Sequence, residues 1–351
     1  MTQIERLHRD GILRRGSSRA GFRYVHARDG RSANGALQRI RQLRLPPAWR
    51  HVAISASPHA RVQAVGRDAA GRWQYVYHPA HVRARALGKQ RRLVQFGAAL
   101  PALRRAVARD LRRRDLSRDR VLAAVARVLS LAFIRPGSEV YAAENGSYGI
   151  ATLRRKHVRV AGTWIYLDFP GKSGQRQQRT LRDPAVARLI RRLLQLPGYE
   201  IFKYADEAGR LIDVKRRDIN EYIKRHMGES FSAKDFRTWA GTLICACSLA
   251  RAAAREAIGG SRRYRHIIAA ALRETAQQLG NTPAVCRASY VTPCVLSAFE
   301  RGQVVDRYLA TTAEFLARQL RGLHPAEHAV LRLLMHHGRA TSTAMRQRAV
   351  A

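Results

Sequence analysis

The pattern of hydrophobic and polar residues predicts four β-strands in the first 80 residues, and the last two of these segments alternate between the two kinds of residue. The predicted strands are residues 21–25, 51–55, 61–66 and 73–77. Residues 68–71, which include a glycine, join the last two as a hairpin turn. A helix is predicted over residues 32–43, ahead of Pro46 and Pro47. This pattern indicates a small β-rich domain.

The apolar spacing becomes helical beyond about residue 81. Between residues 121 and 133 the apolar positions recur at intervals of three and four, which predicts a helix with Ser117 as its N-cap. Arg135 is expected at the end of this helix, where Pro136 and Gly137 stop it.

Later segments extend the helical character and add a hairpin. Residues 157–169 predict the hairpin, with a glycine-flanked turn after it. Further helices are predicted where Asp183 precedes Pro184, where Ser232 and Asp235 resemble a capping box, and over residues 261–278. The predicted fold class is α+β, with a small β-rich domain and a larger, mainly helical domain that carries a short hairpin. The predicted domain ranges are 1–80, 81–310 and, for a basic helical tail, 311–351.

Composition and charge indicate which class of molecule the protein binds. The chain has 351 residues, of which 46% are hydrophobic, enough for a folded core. Its net charge is +40, spread over both halves, and arginine supplies 58 of the 65 basic residues. A body that is cationic throughout favours a long polyanion, and we expect double-stranded DNA. We expect no membrane partner, because no apolar stretch approaches 18 residues and no signal-peptide pattern is present.

The four cysteines predict no metal site. Cys245 and Cys247 are separated by one residue, too close for a zinc knuckle, and no histidine stands nearby at finger spacing. Buried, reduced thiols at these positions and at Cys286 and Cys294 fit a cytoplasmic protein. Because the expected partner is DNA, we expect the protein to be nucleoid-associated. We expect no cofactor and no small-molecule substrate, because no Walker A motif and no Asp-x-Asp pair occurs.

Five separated residues form a set suited to phosphodiester transesterification. Tyr290 is a candidate nucleophile, although an ordinary phenol needs arginines to lower its pKa or to accept developing charge. Arg135 and Arg237 are candidates to bind the non-bridging oxygens, and Lys172 to protonate the leaving 5′ oxygen. Asn281 is a candidate neutral donor to phosphate. Each residue alone is more often structural; their order and context favour the functional interpretation.

The motifs around these residues resemble those of type IB DNA topoisomerases, particularly the compact bacterial and poxvirus-like enzymes. The resemblance covers most of the chain. It is carried by the segments 46–49, 66–79, 135–137, 144–149, 171–172, 234–238 and 279–281, the last of which begins eleven residues before Tyr290.

The resemblance implies a role for each candidate residue. Tyr290 would form a 3′-phosphotyrosyl bond, and Lys172 would act as general acid from a hairpin tip. Arg135 and Arg237 would stabilise the transition state. Asn281 stands where many relatives have histidine, a departure that matters if proton transfer is needed there.

The resemblance also implies DNA contacts outside the catalytic set. Arg67, Tyr75 and Tyr77 match the family's small DNA-binding domain, and Tyr141 matches an aromatic residue after the first arginine. Tyr75 and Tyr77 share one strand face, so packing in the core is the alternative for them.

We therefore predict a type IB topoisomerase that acts as a monomeric two-domain clamp. It would nick one strand, allow rotation and religate without ATP or metal. One alternative is a tyrosine recombinase, which uses nearly the same residues but normally has histidine at the position of Lys234. The other alternative is an architectural DNA-binding protein without enzymatic activity.

Overall fold

The computed structural model describes residues 1–255, 261–311 and 321–350. The chain divides into two compact units, Met1–Gly88 and Lys89–Ala351. The first unit is built around a sheet and the second around helices, and this arrangement confirms the predicted α+β fold class.

The N-terminal unit is a five-stranded antiparallel sheet with two short helices. Its elements are α1 (Gln3–Asp10), β1 (Ile12–Ser17), β2 (Gly21–His26), α2 (Leu37–Gln42), β3 (Arg50–Ile54), β4 (Val62–Arg67) and β5 (Trp73–Tyr77), and the strand order is β2-β1-β3-β4-β5. The four predicted strands are confirmed as β2 to β5. Strand β1 was missed, because only its first residue is buried and the strand carries no alternation.

The helix predicted over residues 32–43 is shorter than expected. The segment begins as a 3-10 turn at Asn34–Ala36 and becomes α-helical only from Leu37. No side chain caps either start, and Gly35 lies inside the turn. Without a cap, and with a glycine at its start, this segment lacks the local signals that extend a helix.

The C-terminal unit contains most of the helices. They are α3 (Pro79–Asp110), which begins before the unit boundary, α4 (Arg118–Ala132), α5 (Glu139–Asn145), α6 (Pro184–Leu193), α7 (Arg216–Met227), α8 (Ala233–Arg255), α9 (Ser261–Leu279), α10 (Pro283–Val285), α11 (Pro293–Glu300) and α12 (Pro325–Val350). In the core, Phe96 of α3 meets Phe236 of α8 edge to face, with 5.2 Å between ring centroids. Within the described residues, no helix is long and apolar enough to span a bilayer.

The predicted hairpin is part of a three-stranded antiparallel sheet. Strands β6 (Val158–Ala161) and β7 (Trp164–Pro170) confirm it, and β8 (Arg176–Arg182) pairs with β7 along its length. Strand β8 was missed because five of its seven residues are polar or charged and exposed or half-buried. The turn that carries Lys172 therefore joins β7 to β8. A short hairpin of β9 (Lys203–Ala205) and β10 (Leu211–Asp213) lies apart from this sheet.

Helix ends differ from expectation around α4. Ser117 occupies the N-cap position but its hydroxyl donates to Asp115 at 2.7 Å, so it does not cap the helix. The helix ends at Ala132 because Phe133 adopts a left-handed conformation (φ 53°). Arg135 thus lies beyond the helix. By contrast, the predicted cap at Asp183 is confirmed, since its carboxylate accepts two backbone N–H bonds, each of 3.0 Å.

Candidate active site

Four of the predicted catalytic residues line one open cavity of about 740 Å³ in the C-terminal unit. They are Arg135, Lys172, Arg237 and Tyr290, and Tyr141 lines the same cavity. The four catalytic candidates come from four segments that are far apart in sequence. Asn281 is absent from the lining but reaches it through a hydrogen bond to Arg135.

Arg237 donates hydrogen bonds to two backbone carbonyl groups. It lies in the second turn of α8 and is only 2% exposed. Its guanidinium donates to the carbonyl oxygen of Phe133 and, at 2.8 Å, to that of Leu279. Burial lowers the pKa of Arg237 to about 10, so the group keeps its positive charge at neutral pH. Two carbonyls thus fix a buried cation in one orientation.

Tyr290 lies against this cation at the end of a π-helical turn, Cys286–Tyr290. The guanidinium carbon of Arg237 is 4.8 Å from the centroid of the tyrosine ring. Thr242 of α8 donates from its hydroxyl to the Tyr290 carbonyl at 3.2 Å and so fixes the backbone there. Single π-helical turns are frequent at functional sites. The Tyr290 side chain is 9% exposed, on the cavity wall.

The electrostatics of the cavity favour the ionised form of Tyr290. Burial alone raises the pKa of its hydroxyl, because charge is poorly solvated there. The positive charges of Arg237 and Arg135 outweigh that effect and lower the pKa below its usual value of 10.0. A phenol with a lowered pKa beside two fixed cations meets the requirement for an activated nucleophile.

Arg135 lies on a loop that is hydrogen-bonded to the segment around Ile150. Its carbonyl accepts from the Ile150 N–H at 2.9 Å, and the Pro136 carbonyl accepts from the Ala151 N–H at 2.9 Å. A side chain at Gly149 would come within 2.5 Å of the Arg135 carbonyl oxygen, so this approach requires glycine. The side chain of Arg135 donates to Oδ1 of Asn281. Asn281 therefore orients Arg135, in addition to its expected role as a hydrogen-bond donor to phosphate.

Lys172 begins the tight turn between β7 and β8. The turn is closed by a hydrogen bond of 2.8 Å from Gly171 N–H to the Gln175 carbonyl. Below it, Arg176 pairs with Asp168 across the two strands at 2.6 Å. This pairing stiffens the hairpin stem, while the Lys172 side chain is exposed at the tip, facing the cavity.

Sequence reasoning missed several residues that support the site. Lys89 donates at 2.7 Å to the carbonyl of Ser289, the residue before Tyr290. Burial, and secondarily the charge of Lys234, lowers the pKa of Lys89. Arg179 of β8 donates to the Ala132 carbonyl at the end of α4 and, at 3.0 Å, to Gln177. No local pattern marks Lys89 or Arg179, because Ser289 and Ala132, whose carbonyls they reach, lie far away in the chain.

The expected DNA-binding residues of the N-terminal unit occupy one end of its sheet. Tyr75 and Tyr77 stack at 6.0 Å on β5, and Arg67 of β4 lies over Trp73 at 4.9 Å. Tyr75 is 39% exposed, whereas Tyr77 packs partly against a small apolar cluster. Tyr75 is thus exposed, whereas Tyr77 is partly packed. Tyr141, in the C-terminal unit, is 62% exposed.

Both units match known families. Residues 83–298, more than half of the chain, match the family described as eukaryotic DNA topoisomerase I, catalytic core. Residues 21–68 match the bacterial DNA topoisomerase IB, N-terminal domain.

Whole-chain relatives carry the same description. DNA topoisomerase 1B of Acanthamoeba polyphaga mimivirus is 34% identical over 304 residues, which cover 86% of this chain and 90% of the relative. DNA topoisomerase 1B of vaccinia virus (strain Copenhagen) is 24% identical over 254 residues, covering 72% and 77%. DNA topoisomerase I of monkeypox virus is 23% identical over the same length.

Fold, site and relatives together define a DNA topoisomerase, and hence an enzyme of the isomerase class. The chain belongs to the type IB DNA topoisomerase family. The family predicted from the sequence motifs is thereby confirmed, and neither the recombinase nor the architectural alternative gains support from these matches.

Proposed function

We propose that the chain relaxes supercoiled double-stranded DNA by cutting one strand with Tyr290, allowing rotation and resealing the strand. The observation that carries this proposal is the contact between Tyr290 and the buried Arg237, which lies in a cavity shared with Arg135 and Lys172. Arginines on two sides of a phenol can stabilise both the phenolate and the phosphorane that it forms.

The atoms balance in a single displacement. Tyr290 loses its phenolic proton to solvent water, the phenolate oxygen bonds to phosphorus, and the bond from phosphorus to the 5′ oxygen breaks. Lys172 supplies the proton that the leaving 5′ oxygen needs, which a guanidinium would do poorly because its pKa exceeds about 12. Arg135 and Arg237 hold the non-bridging oxygens, and Asn281 keeps Arg135 in place.

Religation is the reverse reaction with the 5′ hydroxyl as nucleophile. The phosphotyrosyl bond conserves the energy of the original phosphodiester, so the cycle requires no ATP. The positive charge comes from the side chains of the chain itself, so the mechanism needs no metal ion.

DNA binding would use charge and aromatic contacts from both units. The net charge of +40 supports a phosphate-following interface. In the N-terminal unit, the exposed Tyr75 and the adjacent Arg67 are suited to contact DNA. Tyr141 is suited to do so beside the catalytic cavity. We also propose that the chain acts as a monomer, on the nucleoid in the cytoplasm.

The test is relaxation of supercoiled plasmid in EDTA without ATP. Wild type and the control Tyr264→Phe, which alters a half-buried tyrosine outside the cavity, should relax the plasmid. Both should leave a detergent-trapped adduct on the 3′ end of the cut strand. Tyr290→Phe should bind DNA but give neither relaxation nor adduct. Relaxation by Tyr290→Phe, or an adduct on the 5′ end, would contradict the proposal.

A further inference from the structure

A second open cavity, of about 890 Å³, lies in the C-terminal unit and shares no lining residue with the active site. Among the described residues, eight arginines and a single carboxylate line it. We call it the arginine cavity. Arg120 belongs to it near the start of α4, whereas the active site lies beyond the end of that helix. The helix segment from Arg120 to Ala132 spans about 18 Å at 1.5 Å per residue.

Seven of these arginines come from three segments, and Arg321 comes from a fourth. Arg120 and Arg127 are two helical turns apart on α4 and share one face of it. Arg188 and Arg192 are one turn apart on α6, also on one face. The chain after α3 adds consecutive arginines at positions 112–114. Like charges four residues apart, as at Arg188 and Arg192, destabilise a helix.

The floor of the cavity is built from buried polar groups. Arg120 is only 7% exposed and donates at 2.5 Å to the Asp115 carbonyl. Arg127 approaches Asp183 with 3.5 Å between Nε and Oδ2. Within the described part of the chain, the Nε–H groups of Arg120 and Arg127 are buried without a hydrogen-bond partner. Burial lowers the pKa of each of these arginines; neighbouring arginines act in the same direction, whereas Asp115 and Asp183 oppose the shift.

Two arginines just outside the cavity are closely paired with carboxylates. Arg118, two residues before Arg120, binds Asp218 at 2.8 Å and Glu221 at 2.5 Å. Arg104 of α3 binds Glu327 at 2.8 Å. Among the residues that the structure describes, no carboxylate lies within ion-pair distance of Arg188 or Arg192. Within the cavity, Arg113 pairs with Asp115 at 3.4 Å and Arg127 with Asp183 at 3.5 Å. Among the described residues, the other six arginines of the cavity have no carboxylate within ion-pair distance, so most of its positive charge is uncompensated.

We propose that the arginine cavity binds a compact polyphosphate, an anion with several consecutive phosphate groups. Bidentate guanidinium forks match phosphate oxygens, and several forks from three directions surround a short chain of phosphates better than they would follow an extended duplex. The concave shape favours a ligand that enters the cavity. Inorganic polyphosphate and the triphosphate of a nucleotide share this chemistry.

The test is calorimetric titration of the full chain with inorganic tripolyphosphate at fixed ionic strength. Wild type should bind one equivalent in the micromolar range, and an equal ionic strength of sulfate should not displace it. The double variant Arg188→Gln, Arg192→Gln should bind at least about tenfold more weakly, because two direct charge-assisted contacts are lost. The matched control Arg262→Gln, Arg273→Gln removes the same charge from exposed positions on α9 and should bind as wild type does.

Further arms separate this cavity from the DNA interface. Saturating short duplex DNA should leave tripolyphosphate binding intact, because the two cavities share no residue. Arg188→Glu is a second variant, for use if the double variant folds poorly. It alters one exposed residue and should also weaken tripolyphosphate binding. ATP that binds as tightly as tripolyphosphate indicates recognition of phosphates alone, and tighter ATP binding indicates a nucleotide; either result supports the site.

Three outcomes would overturn the proposal. The first is the absence of saturable binding beyond that of sulfate. The second is equal weakening by the cavity and control variants, which would indicate general charge. The third is a result that assigns the arginines to DNA. Duplex DNA would then abolish tripolyphosphate binding, or the cavity variants would bind duplex DNA more weakly while wild type bound no tripolyphosphate.

Discussion

The guanidinium carbon of Arg237 lies 4.8 Å from the ring centroid of Tyr290, and both side chains are at least nine-tenths buried. An arginine in this position would be unstable if it were unsupported, because burying an unpaired charge is costly. The carbonyl groups of Phe133 and Leu279 supply that support. The same contacts therefore hold the helical core together and set the charge beside the nucleophile, so substitutions here affect both stability and chemistry.

The pH dependence of strand cleavage should reveal the lowered pKa of Tyr290. The single-turnover cleavage rate should rise with pH to a midpoint below 10.0, because the phenolate is the nucleophile. Arg135→Gln should move the midpoint upward, since one positive charge is lost while the burial that raises the pKa remains. The ultraviolet phenolate signal that differs between wild type and Tyr290→Phe measures the same titration directly.

The same shift has a defined sign for stability. The pKa of Tyr290 is lower in the folded state than in the unfolded chain, so its contribution is present above pH 10 and is lost as the pH falls through the folded value. A phenolate titration of wild type at or above pH 10 would contradict the electrostatic account of the site.

Arg237→Ala should destabilise the fold as well as the transition state. Two buried carbonyls lose their donor, which should cost about 2–4 kcal/mol of unfolding free energy. Cleavage should slow by about 10²–10³-fold. Chemical denaturation and single-turnover cleavage measure the two effects.

Two further variants separate charge from support at this position. Arg237→Lys restores the charge but not the two-carbonyl support, so it should recover little activity. Arg210→Ala, which removes an arginine that is exposed and paired only locally with Asp206, should change neither quantity measurably. Full activity in Arg237→Lys would show that charge alone is needed there.

Lys172→Ala should slow cleavage of an ordinary phosphodiester by about 10²–10⁴-fold. A substrate in which sulfur replaces the leaving 5′ oxygen needs no proton, and it should restore most of the rate. Tyr290→Phe should not be rescued by the same substrate, because its defect is in the nucleophile. Equal defects of Lys172→Ala on both substrates would rule out Lys172 as the general acid.

Gly280→Ala should disturb the site through Asn281. Gly280 has a φ of 59°, and a Cβ there would clash with Oε1 of Gln177. The left-handed backbone alone costs about 1–2 kcal/mol, and displacing Gln177 adds about 1–3 kcal/mol. Cleavage should fall as well, since Asn281 holds Arg135.

Gly162→Ala is the matched control for this substitution. Gly162 has a φ of 56° in the β6–β7 turn. Apart from its chain neighbours, no heavy atom of the residues that the structure describes lies within 4 Å of the position that an added methyl group would take. It should show the backbone cost alone and normal cleavage. Equal losses of unfolding free energy in the two variants would show that displacing the Gln177 side chain costs nothing.

Local patterning predicted the parts of the fold in which neighbouring residues decide the conformation. Strand β5 alternates along the chain, and Asp183 caps α6 through bonds to residues two and three positions away. Strand β8 escaped detection because its conformation depends on pairing with β7 and its sequence is mostly polar. Ser117 was wrongly expected to cap α4, since Asp115 competed for its hydroxyl.

The sequence alone determined the family and the candidate catalytic set, because the spacing and context of Tyr290, Arg135, Lys172 and Arg237 are properties of the chain itself. Only the tertiary structure decided how those residues act on one another. It placed the Arg237 cation against a phenol 53 positions away and brought Lys89 to the carbonyl of Ser289, 200 positions away. Contacts at such separations depend on how helices pack, and packing is a property of the whole core that no local pattern records.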